Sequence, residues 1–417
     1  MTNQVNLLIV HYGEDWIRGS EVMLVELLDG LDTRYKRFLW TNNPSLAQQV
    51  ASKGIHVEFT PFPTLCSLYP KKRKLDLGTA ISLYQRGRAL ISEHNIDLIH
   101  VSSGAPCLWM TLVAHQSQTP ILAHLHCPYP LHDRLTLGLH AVPTTLCVSQ
   151  AAAKPLLDEG YSLQRMHIIH NGVTDPDLHS IPSMDIRAHL GLEPKAKVLL
   201  SVGSLIARKG FDRLITAIST LNQQGISHHL VIIGEGPERQ NLVAFARAAN
   251  VEHLVHLVGE QNNVPRWLRS GVDIFISGAR SEAFGLVLVE AALAKLPIIA
   301  PSTGGIVEVI GHQHTGLLYP NDQQAIEKIC QHVNCLSNNP VYALRLAIRA
   351  RNHAKQHFSI EKNIEQIEHV YQQLLEAPLE RRPLLSLAFL WLKPLKTVVQ
   401  KHCLPRFFIQ GSRYEKC

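Results

Sequence analysis

Residues 273–290, DIFISGARSEAFGLVLVE, decide the fold that this sequence predicts. The stretch opens with the apolar run Ile274–Ile276, whose residues favour a β-strand. Small residues then interrupt the run. From Gly285 onward an apolar segment follows that is too long for a second short strand, and it predicts a buried helix. The stretch is therefore predicted to be a strand–turn–helix unit of a parallel α/β sheet.

Two carboxylates bracket this predicted turn. Glu282 precedes the turn and Glu290 lies inside the helix. In parallel α/β sheets, ligands bind beyond the carboxyl ends of the strands, where a helix N-terminus offers free N–H groups to an anion. A carboxylate further along the helix can accept hydrogen bonds from a sugar diol. The turn thus predicts a nucleotide pocket, while two solvated or capping glutamates remain the alternative.

The rest of the chain repeats this alternation of strands and helices. It predicts a doubly wound parallel sheet in each half of the chain. The predicted strands are 5–10, 38–41, 56–59, 98–101, 121–124 and 145–148 in the first half, and 197–202, 230–234, 255–257, 273–277 and 297–300 in the second.

With 417 residues the chain is too long for one ordinary core, and two domains are expected. A polar, proline-bearing stretch between the halves marks the hinge. We expect a first domain over 1–178, a second over 179–358, an amphipathic helix over 359–377 and a basic, apolar tail over 378–417.

Composition indicates a globular protein with reduced thiols. The net charge of +6 is mild, and the basic residues are not interleaved with stacking aromatics, so nucleic-acid binding is not predicted. The eight cysteines form no CxxC pair. The N-terminus lacks the basic region of a signal peptide, and no apolar stretch reaches the roughly 20 residues of a membrane span. The sequence predicts a cytoplasmic protein.

Two basic segments qualify that prediction. The tail 378–417 holds eight Lys or Arg against two Glu, together with an apolar run, and Lys71–Lys74 form a second basic cluster. Together they suggest docking on an anionic membrane surface, at the inner face of the cytoplasmic membrane. A disordered or partner-docking tail is the alternative for 378–417, and a solvated face for the cluster.

The segment EAFGLVLVE, from Glu282 to Glu290, resembles the E-x7-E motif of retaining glycosyltransferases of family 4, and the resemblance runs from about residue 5 to residue 371. It implies the GT-B fold, with two Rossmann-like doubly wound domains facing a cleft and a C-terminal helix that crosses back to the first domain. It also implies that Glu282 lies near the transferred sugar and that Glu290 binds the ribose hydroxyls. Phe284 and Gly285 would present backbone N–H groups to the donor.

The segment SVGSLIARKG, residues 201–210, is similar to the G-R-L-x-x-x-K-G pattern of the same family, although Ser204 stands where Arg is common. The resemblance assigns Arg208 and Lys209 to the donor's phosphates. Fixed cations there would stabilise the charge of the departing diphosphate without a metal or other cofactor. Cations at a helix start are disfavoured by the helix dipole, which favours a functional role for the pair.

Three further glycines lie at predicted strand–helix turns. Gly203 ends a strand, and Gly234 begins the sequence GEGP, whose proline is expected in the first turn of a helix. Gly19 occupies the place of the family's glycine-rich turn, with one glycine where relatives have two. A nucleotide-binding role is expected for the three, and an ordinary tight turn remains possible at Gly19 and Gly234. The segment Gly304–Glu308 resembles a G-G-x-x-E motif, for which a structural role is equally open.

On the acceptor side, the sequence HLH places His124 and His126 at the end of a predicted strand. His126 matches a family position that faces the reacting centre, where it could contact the sugar or position the acceptor. The H-x-H pattern also suggests metal binding, but no third ligand is evident in the sequence, and no metal site is predicted.

The sequence therefore predicts a retaining hexosyltransferase that moves a sugar from a UDP- or GDP-linked donor to an acceptor hydroxyl. The basic segments suggest a glycan or lipid-linked acceptor in cell-envelope polysaccharide or lipopolysaccharide assembly. A nucleotide-sugar epimerase of the same fold and a non-catalytic GT-B partner subunit remain alternatives.

Overall fold

The structure is a computed structural model, and it describes residues 4–67, 74–175, 184–377 and 383–393. Most of the basic cluster Lys71–Lys74 and most of the tail 378–417 lie outside the described residues. By its internal contacts the chain divides into two compact units. The first unit is Met1–Ile169 with Ile364–Cys417, and the second is His170–Asn363.

The described residues form strands and helices in alternation. The strands are β1 Val5–His11, β2 Tyr35–Thr41, β3 His56–Phe59, β4 Cys66–Ser67, β5 Lys74–Leu75, β6 Leu98–Val101, β7 Ile121–Leu125, β8 Thr144–Cys147, β9 Met166–Ile168, β10 Val198–Val202, β11 His229–Ile233, β12 Val255–Gly259, β13 Ile274–Ile276, β14 Ile298–Pro301 and β15 Leu317–Tyr319.

The helices connect these strands and follow the last of them. They are α1 Gly19–Gly30, α2 Pro44–Ala51, α3 Leu77–His94, α4 Cys107–Ser117, α5 Leu131–Thr136, α6 Gln150–Asp158, α7 Ile186–Leu190, α8 Phe211–Gln223, α9 Arg239–Ala248, α10 Val264–Leu268, α11 Leu286–Leu293, α12 Ile306–Val309, α13 Ala325–Asn338, α14 Pro340–His357, α15 Ile360–Glu376 and α16 Leu384–Trp391.

The first unit is built on a parallel sheet in the order β3-β2-β1-β6-β7-β8-β9. Its central strands are buried on both faces, as expected for a sheet covered by helices. The short antiparallel pair β4–β5 lies outside this sheet. Helix α15 contributes Tyr371, which packs edge-on against Tyr35 and bonds the ring nitrogen of His100 at 2.5 Å.

The second unit is built on a parallel sheet in the order β12-β11-β10-β13-β14-β15. Helix α8 is amphipathic and buries Phe211, Leu214 and Ile218 in the core of this unit. Strands β10 and β13 are neighbours, with Leu199 opposite Ile274, although more than seventy residues separate them in sequence. Their loops therefore meet at one edge of the sheet.

The structure confirms the predicted doubly wound α/β architecture and the helix after Gly285. Two parallel edge strands escape the sequence pattern, β9 Met166–Ile168 and β15 Leu317–Tyr319, because each has only three residues and little periodicity to detect. One detail was wrong. Pro237 lies in a turn two residues before α9 begins at Arg239, not in the first turn of the helix. Among the described helices, none combines the length and apolar character needed to cross a membrane.

Candidate active site

Two loops of the second unit touch backbone to backbone at the carboxyl ends of β10 and β13. A Cβ atom on Gly210 would lie 2.0 Å from the carbonyl oxygen of Gly278, and one on Gly278 would lie 2.3 Å from the carbonyl oxygen of Gly210. Gly210 also has a φ of 62°, in the left-handed region that favours glycine. Only glycines at both positions allow this approach, and it brings residues 208–209 next to residues 280–282.

The approach places the predicted phosphate-binding pair beside the first predicted carboxylate. Lys209 Nζ is in direct contact with the carboxylate of Glu282. Arg208 Nη1 lies 3.9 Å from Glu282 Oε2 and 3.4 Å from the carbonyl oxygen of Ser281. Lys209 and Glu282 are largely buried, with side chains 17% and 15% exposed, whereas Arg208 is 52% exposed. The structure thus brings Glu282 to a basic pair that precedes it by more than seventy positions.

Arg280 holds the two loops in this arrangement. Its guanidinium pairs with Asp212 and also donates to the carbonyl oxygen of Ala207 at 2.8 Å. Its backbone N–H donates to the carbonyl oxygen of Arg208 at 2.7 Å. No local sequence pattern singles out Arg280 or Asp212. A signal for them would have required knowing that β10 and β13 are neighbours.

Helix α11 begins at the centre of this site. Gly285 precedes its first residue with a φ of 100°, a conformation that favours glycine. The ring of Phe284 is buried and stacks on His170, with ring centroids 5.6 Å apart. Because that ring belongs to the core, only the backbone of Phe284 is left for the donor contact that the resemblance implies.

The turn before α12 supports the same loop from behind. The backbone N–H of Gly305 donates to the carbonyl oxygen of Glu282 at 3.0 Å. A Cβ on Gly304 would lie 1.9 Å from that same oxygen. Glu308 pairs with His170 at 3.0 Å. These contacts give the Gly304–Glu308 motif a structural explanation, which is to fix the backbone at Glu282.

Glu290 lies in the second turn of α11. It is partly buried, and burial raises the pKa of its carboxyl to about 7. Desolvation disfavours the charged form of a carboxyl group, so Glu290 takes up a proton near neutral pH. Carboxyl groups with strongly raised pKa values concentrate at functional sites.

Gly203 and Gly234 fit against each other at the ends of β10 and β11. A Cβ on Gly234 would lie 2.0 Å from the carbonyl oxygen of Gly203, and the backbone N–H of Gly203 donates to Ile233. This close approach explains glycine at position 234 without a ligand. A small pocket nearby has Lys209, Glu282 and Gly285 in its lining, so three of the predicted residues share one cavity, whereas Arg208, Phe284 and Glu290 are not part of that lining.

His126 and Gly19 lie in the first unit. The His126 ring is 4.3 Å from that of His124, centroid to centroid, just past the end of β7. Neither ring nitrogen of His126 has a hydrogen-bond partner among the described residues. Burial lowers the pKa of His126 to about 4, and neighbouring His11 contributes in the same direction, so the ring is neutral at physiological pH.

A buried contact near His126, between His11 and Glu21, is indicated by no sequence motif. His11 Nε2 lies 3.3 Å from Glu21 Oε1, and Glu21 Oε2 accepts from the backbone N–H of Arg18 at 3.1 Å. Burial opposes ionisation of Glu21, but its bond to His11 lowers the pKa of the carboxyl on balance. Gly13, whose Cβ would lie 2.6 Å from the His11 ring, makes the close approach in this region, whereas Gly19 is an exposed first residue of α1.

Within the described parts of the chain, no group of three or more His, Cys, Asp or Glu side chains is arranged to hold a metal ion.

Comparison with known proteins identifies the family. Residues 17–175 match the model described as "Glycosyltransferase Family 4", and residues 183–357 match "Glycosyl transferases group 1". Together the two models match most of the chain. The chain belongs to glycosyltransferase family 4 and is a glycosyltransferase.

Individual relatives agree with this assignment. An uncharacterized glycosyltransferase of Haemophilus influenzae is 27% identical, over 68% of this chain and 79% of its own length. A GDP-mannose-dependent alpha-(1-6)-phosphatidylinositol monomannoside mannosyltransferase of Mycobacterium tuberculosis is 28% identical, over 60% of this chain and 68% of its own length.

Solved structures agree on the fold. Anabaena HepE, in complex with UDP and glucose, covers 88% of this chain and 100% of its own with a TM-score of 0.74 and 18% identity. The lipopolysaccharide outer core galactosyltransferase WaaB covers 88% and 100% with a TM-score of 0.70 and 16% identity. The predicted GT-B fold is confirmed.

Proposed function

We propose that this glycosyltransferase moves a hexose from a UDP- or GDP-linked donor to an acceptor hydroxyl, with retention of configuration at the anomeric carbon. One observation carries the proposal. Lys209 contacts Glu282, with Arg208 alongside, at the edge of the sheet where α11 begins. Two cations next to a helix N-terminus suit a diphosphate.

The cations would act mainly on the leaving group. When the bond between the anomeric carbon and the donor phosphate breaks, the nucleoside diphosphate gains negative charge. Arg208 and Lys209 stabilise that charge in the transition state, which is the part of the reaction that fixed charges accelerate most. They occupy the role that a metal ion has in other transferases, so the reaction is proposed to need no metal.

Front-face substitution accounts best for retention here. Glu282 is engaged by Lys209, and a carboxylate held in an ion pair is a poor nucleophile for a glycosyl-enzyme intermediate. We therefore propose that the acceptor oxygen bonds to the anomeric carbon on the face from which the phosphate leaves. The acceptor's proton passes to the departing phosphate oxygen.

Glu290 and His126 would position the two substrates. Ionised Glu290 accepts hydrogen bonds from the ribose hydroxyls, so the donor is bound best above the pKa of about 7. His126 is neutral at physiological pH, because burial lowers its pKa to about 4, and it therefore acts as a hydrogen-bonding group for the sugar or the acceptor. Gly19, Gly203 and Gly285 are proposed to let the backbone approach the donor, whereas the packing of Gly234 against Gly203 accounts for the glycine at position 234.

The acceptor is proposed to be a glycan or a lipid-linked molecule of the cell envelope, met at the inner face of the cytoplasmic membrane. The basic segments Lys71–Lys74 and 378–417 support this proposal by their charge. So does the character of the relatives, one of which acts on a phosphatidylinositol mannoside and another on the lipopolysaccharide outer core.

Hydrolysis of a panel of nucleoside diphosphate sugars, without acceptor, tests the donor half of the proposal. We expect slow release of diphosphate from one donor, unaffected by a chelator and abolished by Glu290→Ala. Conversion of the donor to an isomeric nucleotide sugar would instead establish the epimerase. If the protein binds no nucleotide at all, the result would favour the non-catalytic alternative.

A further inference from the structure

An apolar groove opens on the first unit, on elements distinct from those of the predicted site. The groove is a cavity of about 640 Å³, and its lining side chains include Leu75, Ile81, Trp109, Leu112, Leu135 and Trp391. Cavities of this size hold small-molecule ligands. Strand β5 and helices α3, α4 and α5 contribute to its walls, together with α16 from the C-terminal part of the chain.

Two polar side chains on the walls are bonded within the protein, whereas the Trp109 indole N–H and the Thr136 hydroxyl are buried without a partner among the described residues. The indole N–H of Trp391 donates to the carbonyl oxygen of Leu135 at 2.7 Å, so only the apolar part of that ring is left for a ligand. Asp76 accepts from the backbone N–H of Thr79 at 3.0 Å, where it caps α3, and it pairs with Lys74. A sugar, peptide or nucleotide would find few hydrogen-bonding partners here, whereas a hydrocarbon chain needs none.

Large apolar side chains stand exposed at the rim of the groove. Leu75, Leu77 and Ile81 are 68%, 61% and 57% exposed, and Leu392 at the end of α16 is 54% exposed. Burial stabilises apolar side chains of this size, and each of these four is more than half exposed. A contiguous apolar patch around a cavity marks an interaction site.

Positive charge adjoins the same rim. Lys74, with its side chain 46% exposed, lies 3.4 Å from Asp76 on the wall of the groove. In the sequence, Lys71, Lys72 and Arg73 directly precede it. An apolar cavity with Lys74 at its rim is complementary to a molecule with a hydrocarbon chain and an anionic head group.

We propose that this groove binds the hydrocarbon chain of an anionic lipid. On the proposed function, which this step presupposes, the lipid is the carrier of the acceptor, and the groove selects lipid-linked over free acceptors. The ligand class follows from the lining and the charge, whichever sugar is transferred.

Binding of bromine-labelled dodecyl phosphate to the full chain, below the critical micelle concentration, tests the groove directly. Bromine on the chain quenches nearby tryptophan fluorescence, and both Trp109 and Trp391 line the cavity. We expect saturable quenching by dodecyl phosphate and at least tenfold weaker binding of dodecyl trimethylammonium. Equal binding of the two would overturn the role of the cations, and absence of quenching would overturn the groove as a lipid site.

Ile81→Glu places a charge at the rim and should weaken dodecyl phosphate binding at least tenfold. Leu163→Glu is the matched control, because Leu163 is 75% exposed in the same unit and is not part of the groove lining. Equal effects of the two variants would contradict the proposal. So would a dimer of the unaltered protein that Ile81→Glu converts to monomer, since the groove would then bind a second copy of the chain.

Donor hydrolysis by the unaltered protein separates this inference from the proposed function. Hydrolysis of a donor without lipid binding would support the proposed transferase and contradict the proposal that the groove binds lipid. Lipid binding without hydrolysis of any donor would keep the lipid site and remove its role in presenting an acceptor.

Discussion

The two units share one architecture, yet the carboxyl ends of their central strands carry opposite chemistry. In the second unit, the loops after β10 and β13 present Arg208, Lys209 and Glu282 in direct ionic contact. In the first unit, β6 and the end of β7 present the histidines His100 and His126. The ends of β10 and β13 are therefore charged, whereas β6 and the end of β7 carry neutral side chains.

Burial keeps the two histidines neutral. It lowers the pKa of His100 to about 3 and that of His126 to about 4, so neither ring carries charge at physiological pH. A charged edge suits the diphosphate of the proposed donor. A neutral, hydrogen-bonding edge suits the hydroxyl groups of the proposed acceptor. On the proposed function, two similar parallel sheets are specialised by the side chains at their strand ends.

The largest expected effect is on the charged edge. Arg208→Ala combined with Lys209→Ala should lower turnover by about 10³-fold or more, because each removed transition-state contact costs about 10²–10³-fold. Steady-state kinetics with the donor found by the hydrolysis panel measures the loss. Circular dichroism should show an unchanged fold.

Arg247→Ala provides the control for that double substitution. Arg247 lies in the same unit and pairs with Glu252 on the surface, with both side chains more than half exposed. Turnover should be unchanged in this variant. Full activity in the Arg208/Lys209 variant would show that the charged edge of the second unit does not act on the leaving group.

Glu290→Gln should stabilise the protein while weakening donor binding. The raised pKa means that the folded state binds the proton of Glu290 more tightly than the unfolded state does. As pH rises from about 4.5 to about 7, the unfolded state loses this proton first, and the free energy of unfolding therefore falls. Removing that group should increase the free energy of unfolding at pH 8 by about 3 kcal/mol. Urea unfolding at pH 8 measures the gain, which should vanish at pH 4.5.

The same carboxyl should make donor affinity depend on pH. Since the ionised form binds ribose hydroxyls, affinity should rise by roughly tenfold between pH 6 and pH 8. Nucleotide sugars do not titrate in that range, so calorimetry with the donor isolates Glu290. A pH-independent affinity in the unaltered protein would contradict the assigned role, and Glu290→Gln should abolish the dependence.

On the neutral edge a smaller effect is expected. His126→Gln should reduce turnover by about tenfold, the value of one well-placed hydrogen bond, without changing nucleotide affinity. Because the pKa of His126 is about 4, its ring is already neutral at pH 6, and the loss of turnover should be constant from pH 6 to pH 9. A loss that varied with pH in that range would show a titrating histidine and would break the contrast between the two edges.

The smallest effect concerns the support behind the charged edge. Arg280→Ala removes the pair with Asp212, in which both side chains are about 40% exposed, so solvent screening limits the loss of stability to about 1 kcal/mol. Turnover should fall only a few-fold, through looser placement of Arg208. A loss as large as that of the Arg208/Lys209 variant would make Arg280 part of the site itself.

How far the sequence predicts this molecule depends on whether a feature is local. The strand–turn–helix around Gly285 and the basic pair before α8 can both be predicted, because each is encoded by consecutive residues. The pairing of Lys209 with Glu282 depends on the adjacency of β10 and β13, which only the tertiary fold supplies. The supporting role of Arg280 was missed for the same reason.

The neutral edge was harder still. His126 was found through resemblance, but the contact between His11 and Glu21 and the lowered pKa values depend on burial, which no local pattern encodes. The short strand β15 gave too few residues to establish a period. The groove on the first unit was invisible as well, because α16 joins it from far along the chain.

The glycines that let the loops of the second unit touch also set where this enzyme can be redesigned. Gly210 and Gly278 lock two loops together, and Gly304 meets the backbone of Glu282, so any side chain added there would move several loops at once. Ser204 and Ala283 lie in the same loops but already carry side chains. Libraries aimed at a new donor sugar should hold the glycines constant and vary those two positions first.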